Sequence, residues 1–421
     1  VNDLMAAVAA AVEARRDDLT GWITDLVRIP SVTGNEDAAQ IHIAALMAEL
    51  GLEVDVFVPS ADELRAHPSY SDDGLPVGRP VVIGHRAGAA AGAPSLILNG
   101  HVDVVPAGDE TLYPEGAWSG RVTGGELWGR GACDMKAGLL SGLAAMAALH
   151  DLGVEVPGDV MLQSVTGEET GGVGTLAAVL RGYRADAAVV LEPTRLAVCP
   201  VGAGAASFRL HVHGKAAHGA TRREGISAVA KFAPLHAALE QLEARRHEGW
   251  SHPAYPEGTL VAPISVGRVT AGDWPSTVPE LLVAEGRYGV RPGETLAAAR
   301  AELEEALATA AAADPWLRDN PPVVEWFEGQ FAPAETPTEH PFVRVLSEVH
   351  QSAAGRAPLT HGVTYGSDLR LFTNDAAMAA VLYGPGDVRL AHTVDERVPL
   401  DEVVQAATVV AQLILRWGGA A

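Results

Sequence analysis

The sequence predicts an α/β fold, a mainly parallel sheet with helices on both faces, interrupted by an inserted α+β unit of ferredoxin-like topology. Three observations carry this expectation. Apolar strands alternate with helices from about residue 12. Those strands are continuously apolar, as strands buried on both faces are. After "LEPT" the pattern changes to half-buried alternation and returns to the first pattern only near residue 334. Three segments follow: 1–202 and 334–421 as two parts of one domain, and 203–333 as the insertion. A chain of 421 residues is longer than one core usually grows, which favours the same division.

"VNDLMAAVAAAVEARRDD" reads as an Ala-rich amphipathic helix. "DAAQIHIAALMAELGLEVDVFVP" is a helix that stops at Gly51 and runs into a strand, and "PSLILNGHVDVVP" holds a strand core. "RAGAAAGAP" (86–94) is expected as a flexible surface loop. The helix "MKAGLLSGLAAMAALHDLG", the strand "DVMLQSVTG", the helix "TLAAVLRGY" and the strand "DAAVVLEPT" follow. In the insertion, "ASFRLHVHG" alternates as a strand and "GISAVAKFAPLHAALEQLEA" is a helix; "PISVGRVTAG" and "ELLVAEGRYGV" pair as strands. "TLAAARAELEEALATAAAA" is its second helix and "PPVVEWFEG" its last strand, which completes a strand, helix, strand, strand, helix, strand order. "HPFVRVLSEVHQSAAG", "AAMAAVLYGPGD" and a final helix from Leu400 return to the first sheet.

Thirty Lys and Arg against 53 Asp and Glu give a formal net charge of -23. That balance opposes nucleic acid and anionic membrane surfaces, and favours an enzyme acting on small molecules. No run of about 18 consecutive apolar residues occurs, and no basic leader precedes the apolar start, so a cytoplasmic location is expected. Two cysteines, Cys133 and Cys199, are too few for a disulfide framework or a thiolate zinc site. Cys133 is read as a small space-filler. "GGVGT" and "GAGAAS" do not match a phosphate-cradling loop.

In open α/β sheets ligand sites gather beyond the carboxyl ends of strands. "GHVD" places His101 and Asp103 there, two residues apart and on one side of an extended segment. Asp103 is thus positioned to orient the His101 ring, as carboxylates behind metal-binding histidines do. "GRGACDMKAG" sets Asp134 in a glycine-flanked loop, "TGEETGG" supplies Glu168 and Glu169, "LEPT" supplies Glu192, and "AHTVDE" supplies His392. Two histidines with several carboxylates suit zinc, with cobalt or manganese as alternatives. Two divalent ions need a shared carboxylate and further donors for each. The count leaves one carboxylate over, free to move a proton.

In order along nearly the whole chain, these five blocks resemble the signature blocks of the co-catalytic zinc amidohydrolases and metallopeptidases that include acetylornithine deacetylase, succinyl-diaminopimelate desuccinylase, aminoacylases and glutamate carboxypeptidase. The resemblance implies that His101 and Glu192 hold one ion, Glu169 and His392 the other, and that Asp134 bridges them. It implies Glu168 as general base and then general acid. The insertion is similar to that family's lid and dimerisation domain, which implies a homodimer. His218 in "GKAAHGA" would then reach the partner's active site.

His211 and His213 are read as ordinary strand-face residues. His361 and Tyr365 precede "GSDLR", which resembles a family segment near the substrate pocket. The lid block departs from the family: Ser276 stands in "STVP" where relatives carry Asn, and Arg287 and Arg291 are offset around "PGE". Either guanidinium suits a carboxylate clamp. The implied activity is hydrolysis of the amide of an N-acyl amino acid or dipeptide-like small molecule, acetylornithine deacetylase-like first. Dipeptidase or carboxypeptidase action and N-formyl amine deformylation are the alternatives on the same scaffold. A non-catalytic binding protein would have no use for the spare Glu168.

Overall fold

A computed structural model describes residues 2–419; Val1, Ala420 and Ala421, at the ends of the expected domain ranges, lie outside the described residues. The strands are β1 (Glu53–Phe57), β2 (Val81–Arg86), β3 (Leu96–His101), β4 (Arg121–Thr123), β5 (Glu126–Trp128), β6 (Val160–Val165), β7 (Ala187–Val190), β8 (Val198–Gly202), β9 (Gly204–His213), β10 (Ile264–Ala271), β11 (Leu281–Val290), β12 (Val323–Phe331), β13 (Ala334–Glu335), β14 (Thr360–Val363), β15 (Ala379–Leu382) and β16 (Arg397–Pro399). The helices are α1 (Asn2–Ala14), α2 (Arg16–Val27), α3 (Asp37–Glu49), α4 (Ala61–Ala66), α5 (Ala137–Asp151), α6 (Val173–Leu180), α7 (Ala228–His247), α8 (Leu296–Ala312), α9 (Pro315–Asp319), α10 (Pro341–Ala354) and α11 (Leu400–Trp417).

The large sheet runs β1-β2-β6-β3-β7-β15-β8-β13, with β14 also paired to β8. Its centre is parallel, through the pairs β6/β3, β3/β7 and β7/β15, and β14 is parallel to β8. Its flanks are antiparallel, through β1/β2, β2/β6, β15/β8 and β8/β13. The expected mainly parallel sheet is therefore corrected to a mixed one. The physical reason is that "VVIGHR", which the sequence reading did not name, enters the sheet as β2 between β1 and β6 and runs antiparallel to both.

Helix α5 lies at the heart of the core, buried at every position from Ala137 to Leu149, and packs against α11, α1 and α2. The span Ala132–Asp151 is apolar and long enough to cross a membrane, but its most apolar 18-residue stretch is 94% buried inside the protein, as a core helix is. Two glycines allow its close approach to the sheet. A Cβ at Gly138 would fall 1.9 Å from the Leu191 carbonyl oxygen, and one at Gly142 would fall 2.9 Å from the Leu191 side chain. The loop after β2 is more restrained than its Ala/Gly composition suggests, because the amides of Ala89 and Ala90 donate to the carbonyls of Val156 and Pro157.

Strands β9 to β12 form a second sheet, antiparallel throughout and ordered β10-β11-β9-β12. With α7 between β9 and β10, and α8 between β11 and β12, this is ferredoxin-like connectivity. The sheet and helices share an apolar cluster of their own, centred on Phe208, Leu239, Tyr288 and Leu303. Alternation along "GAASFRLHVH" produces it, since every second residue from Ala206 to Val212 is buried.

Candidate active site

Three adjacent parallel strands, β6, β3 and β7, deliver their carboxyl ends to one place. His101 closes β3, Glu168 and Glu169 follow β6, and Glu192 follows β7. Asp134 stands in the irregular turn Ala132–Lys136 before α5. His392 comes last, after a short turn at Val388–Leu390, with a left-handed backbone at φ 60°. That conformation is uncommon for a residue with a Cβ and is tolerated best by short polar or imidazole side chains.

Asp134 lies between the two histidines. Its Oδ1 is 3.2 Å from His101 Nε2, and its Oδ2 is 3.4 Å from His392 Nε2. Glu169 is 3.1 Å from His392 Nε2, and Glu192 is 3.9 Å from His101 Nε2. Glu168 stands 4.0 Å from the same His101 nitrogen. The donor atoms of His101, Asp134 and Glu169 lie within 4.8 Å of one another, as do those of His101, Glu168 and Glu192.

This donor set is short of positive charge. Burial first, then Asp134, raises Glu192 well above the ordinary carboxylate range, and burial followed by Glu192 does the same to Glu168. Burial and Asp134 raise Glu169 against the pull of His392. Burial lowers His392, but its hydrogen bonds to Asp134 and Glu169 outweigh that and bring it to about 11. Like charges about 4 Å apart repel by roughly 4 kcal/mol at the effective dielectric near a protein surface. A pair of divalent ions would relieve this crowding, and the residues fit them: His101 and Glu192 on one side, Glu169 and His392 on the other, Asp134 between.

The supports of these residues differ in part from the sequence reading. His101 Nδ1 donates to the main-chain carbonyl of Asp103 at 2.8 Å, while the Asp103 carboxylate stands farther off at 3.7 Å. Because a carbonyl only accepts, this bond fixes the proton on Nδ1 and leaves the Nε2 lone pair facing the site. The Asp103 carboxylate serves the glutamate turn instead. It accepts the amides of Glu168 and Glu169, each at 3.2 Å, and the Thr33 hydroxyl at 3.1 Å.

Asp134 has a support of its own. Glu396, buried and paired with Arg130, accepts the amides of Cys133 at 3.1 Å and Asp134 at 3.2 Å. Burial raises Glu396 to about 7 against the pull of Arg130. Sequence reasoning missed this pair, although Glu396 belongs to the same "AHTVDE" block as His392 and Arg130 to the glycine-flanked block of Asp134. Asp368 and Arg370 of "GSDLR" were also not assigned. Asp368 accepts the Thr175 hydroxyl at 2.5 Å, and Arg370 donates to the Gly171 carbonyl at 2.7 Å, so both brace the segment after the glutamate pair.

A cleft of about 400 Å³ opens over the site, walled on its far side by Ser207, Arg287, Phe331 and Tyr365. Arg287 donates from Nη2 to the Thr364 carbonyl at 3.0 Å and lines the cleft. Arg291 is not brought there. It is held by Glu294 and the Arg246 carbonyl at the end of β11. His218 is exposed on the four-stranded unit, where its Nδ1 accepts the Ala220 amide at 3.1 Å, and it is absent from the cleft wall of its own chain. Tyr365 reaches the cleft, and burial followed by the charge of Glu192 raises its phenol well above its ordinary value. His361 lines a neighbouring cavity that Tyr365 lines as well.

The sequence pattern of the family described as Peptidase family M20/M25/M40 matches residues 97–416. The chain is 32% identical over 411 residues to N-formyl-4-amino-5-aminomethyl-2-methylpyrimidine deformylase of Bacillus subtilis (strain 168), covering 91% of this chain and 90% of that protein. It is 30% identical over 357 residues to acetylornithine deacetylase of Myxococcus xanthus, covering 79% and 83%. Its fold is that of human carnosine dipeptidase 1, with a TM-score of 0.77 at 16% identity over 99% of both chains.

Proposed function

The chain belongs to peptidase family M20/M25/M40, an enzyme family that hydrolyses amide bonds, and from that premise we propose that it is a two-metal amidase removing a small acyl group, formyl foremost, from a compact amine. The observation that carries this reading is Asp134 set between His101 and His392, each with a second carboxylate, while Glu168 is left over beside them. When bound, the ions supply a Lewis acid for the scissile carbonyl and lower the pKa of the attacking water.

Glu168 accepts a proton as water adds to the carbonyl carbon. It then gives that proton to the leaving nitrogen as the C–N bond breaks, which releases the carboxylic acid and the amine. Asp103 fixes the turn that carries Glu168, and Glu396 fixes the loop that carries Asp134.

Identity of 32% over nine-tenths of both chains favours the deformylase class. The second reading, deacylation of an acetylornithine-like substrate, is favoured by Arg287 in the cleft wall, whose guanidinium suits a carboxylate. Zinc suits the His and carboxylate donors. Two unpaired, buried cysteines suit the reducing cytoplasm. Division into 1–202, 203–333 and 334–421 is supported by the separate core of the four-stranded unit, read as the lid and dimerisation unit. An exposed His218 on that unit suits a role in a second subunit's site within a homodimer.

The test is a screen of N-formyl, N-acetyl, N-succinyl and dipeptide amides with zinc- or cobalt-reconstituted protein, with Glu168→Ala as control. Formyl amides are expected to turn over fastest. Absence of amide hydrolysis, or undiminished hydrolysis by Glu168→Ala, overturns the reading.

A further inference from the structure

Tyr365 is the one aromatic hydroxyl in the cleft wall, and among the described residues its oxygen is buried without a hydrogen-bond partner. Leaving a buried donor unmade costs roughly 1–3 kcal/mol, so the position calls for an acceptor that arrives later. Two contacts hold the segment that carries it. Arg287 donates to the Thr364 carbonyl at 3.0 Å. Phe331 packs so tightly on Gly366 that a Cβ there would lie 2.3 Å from the Phe331 Cβ.

A second cavity of about 260 Å³, which Tyr365 lines together with His361, Arg195 and Arg389, also offers the hydroxyl no partner. Tyr365 shares the cleft itself with Asp134, Glu168 and Glu192. Asp134 and Glu192 make no hydrogen bond to it, and their oxygens are the donors directed at the metal positions. No oxygen of the cleft, those of Glu168, Glu169 and Ser207 included, bonds it in this structure, which leaves the place open to an oxygen brought by the substrate.

From this placement we infer that the Tyr365 hydroxyl is an oxyanion donor: it hydrogen-bonds the oxygen of the scissile carbonyl as that oxygen gains negative charge. The inference rests on the amidase reading above. It supplies from the chain's own catalytic part what His218 would supply only from a partner. A preorganised donor of this kind is worth about 10²- to 10³-fold in kcat.

Tyr365→Phe in the zinc-loaded enzyme is expected to lower kcat by about 10²- to 10³-fold while KM stays within about threefold and the ion content is unchanged. The variant's affinity for a phosphinate analogue of the tetrahedral state should fall in parallel. A crystal structure of the unmodified holoenzyme with that phosphinate serves should the Phe variant fail to fold. A hydroxyl about 2.6–3.2 Å from a phosphinate oxygen supports the inference, and a hydroxyl turned away from it overturns it. Unchanged kcat in Tyr365→Phe also overturns it, with the amidase reading left standing. Inactivity of the unmodified holoenzyme on every amide in the screen overturns both.

Discussion

Asp103 accepts the main-chain N–H of Glu168 at 3.2 Å, and so takes hold of the turn that carries the glutamate pair by its backbone. Its second oxygen does the same for Glu169. One carboxylate thereby sets both the spacing and the aim of the glutamate pair. Asp103→Ala is expected to reduce activity and metal affinity by about 10- to 100-fold, the range found when groups that orient metal ligands are removed. Steady-state kinetics with zinc titration measures it; a variant with unaltered kinetics and affinity would show that the turn holds itself.

The two glutamates should separate by what they lose. Glu168→Gln is expected to cut kcat by about 10²- to 10⁴-fold while two ions per chain remain. Glu169→Gln is expected to lose an ion, because Glu169 is one of the two carboxylates against His392. Elemental analysis beside kcat distinguishes these outcomes. An equal loss of metal in both variants would remove the division of labour.

Glu36 predicts a pH dependence of stability that does not involve catalysis. Its side chain is fully buried, one oxygen lies 3.5 Å from Arg79, and the other has no partner. Burial first, then the charge of Asp103, raises it from 4.5 to about 7. For a carboxyl raised in the folded state, the stabilisation is complete below the unfolded pKa and is lost as pH rises through the folded one. The window is therefore about pH 4.5 to 7. Glu36→Gln should match the parent near pH 4.5 and exceed it by on the order of 3 kcal/mol at pH 8, at about 1.4 kcal/mol per pH unit. Melting curves across that range check the sign; a variant less stable at pH 8 would refute it.

Gly138→Ala should cost about 1–3 kcal/mol or more, since the new methyl would collide with the Leu191 carbonyl. Leu191 immediately precedes Glu192, so the shift should also weaken metal binding. Thermal melting and zinc titration measure the two effects. An Ala variant with parental melting and affinity would show that α5 can retreat freely.

Order was legible for the elements with long apolar runs whose breaks fall at glycines and prolines, as at Gly51 and after "LEPT", whereas β2, β4, β5, β8, β13, β14, β16, α2, α4 and α9 were not read. Strand direction was not legible either, because β2, which runs antiparallel to β1 and β6, is among those unread elements. That His101, Asp134, Glu168, Glu169, Glu192 and His392 come together could be anticipated because each follows a strand or opens a helix at one edge of the sheet. Their supports were harder to find. The Asp103 carboxylate acts on backbone amides 65 and 66 residues away, and Glu396 acts on amides more than 260 residues away. Bonds to main-chain N–H groups ask nothing of the partner's side chain, so they leave no mark in the sequence. Arg287 and Arg291 differ for the same sort of reason, since only the three-dimensional course of β11 decides which one faces the cleft.

His392 closes a site whose other members begin at His101, almost three hundred residues earlier in the chain. During synthesis, an emerging chain carries His101, Asp134, Glu169 and Glu192 long before His392 leaves the ribosome. On the two-metal reading proposed above, the second ion position stays half built until then. Tight binding of a second ion would thus report that the segment carrying His392 has docked, which would make metal stoichiometry a record of completed folding as well as of readiness for chemistry.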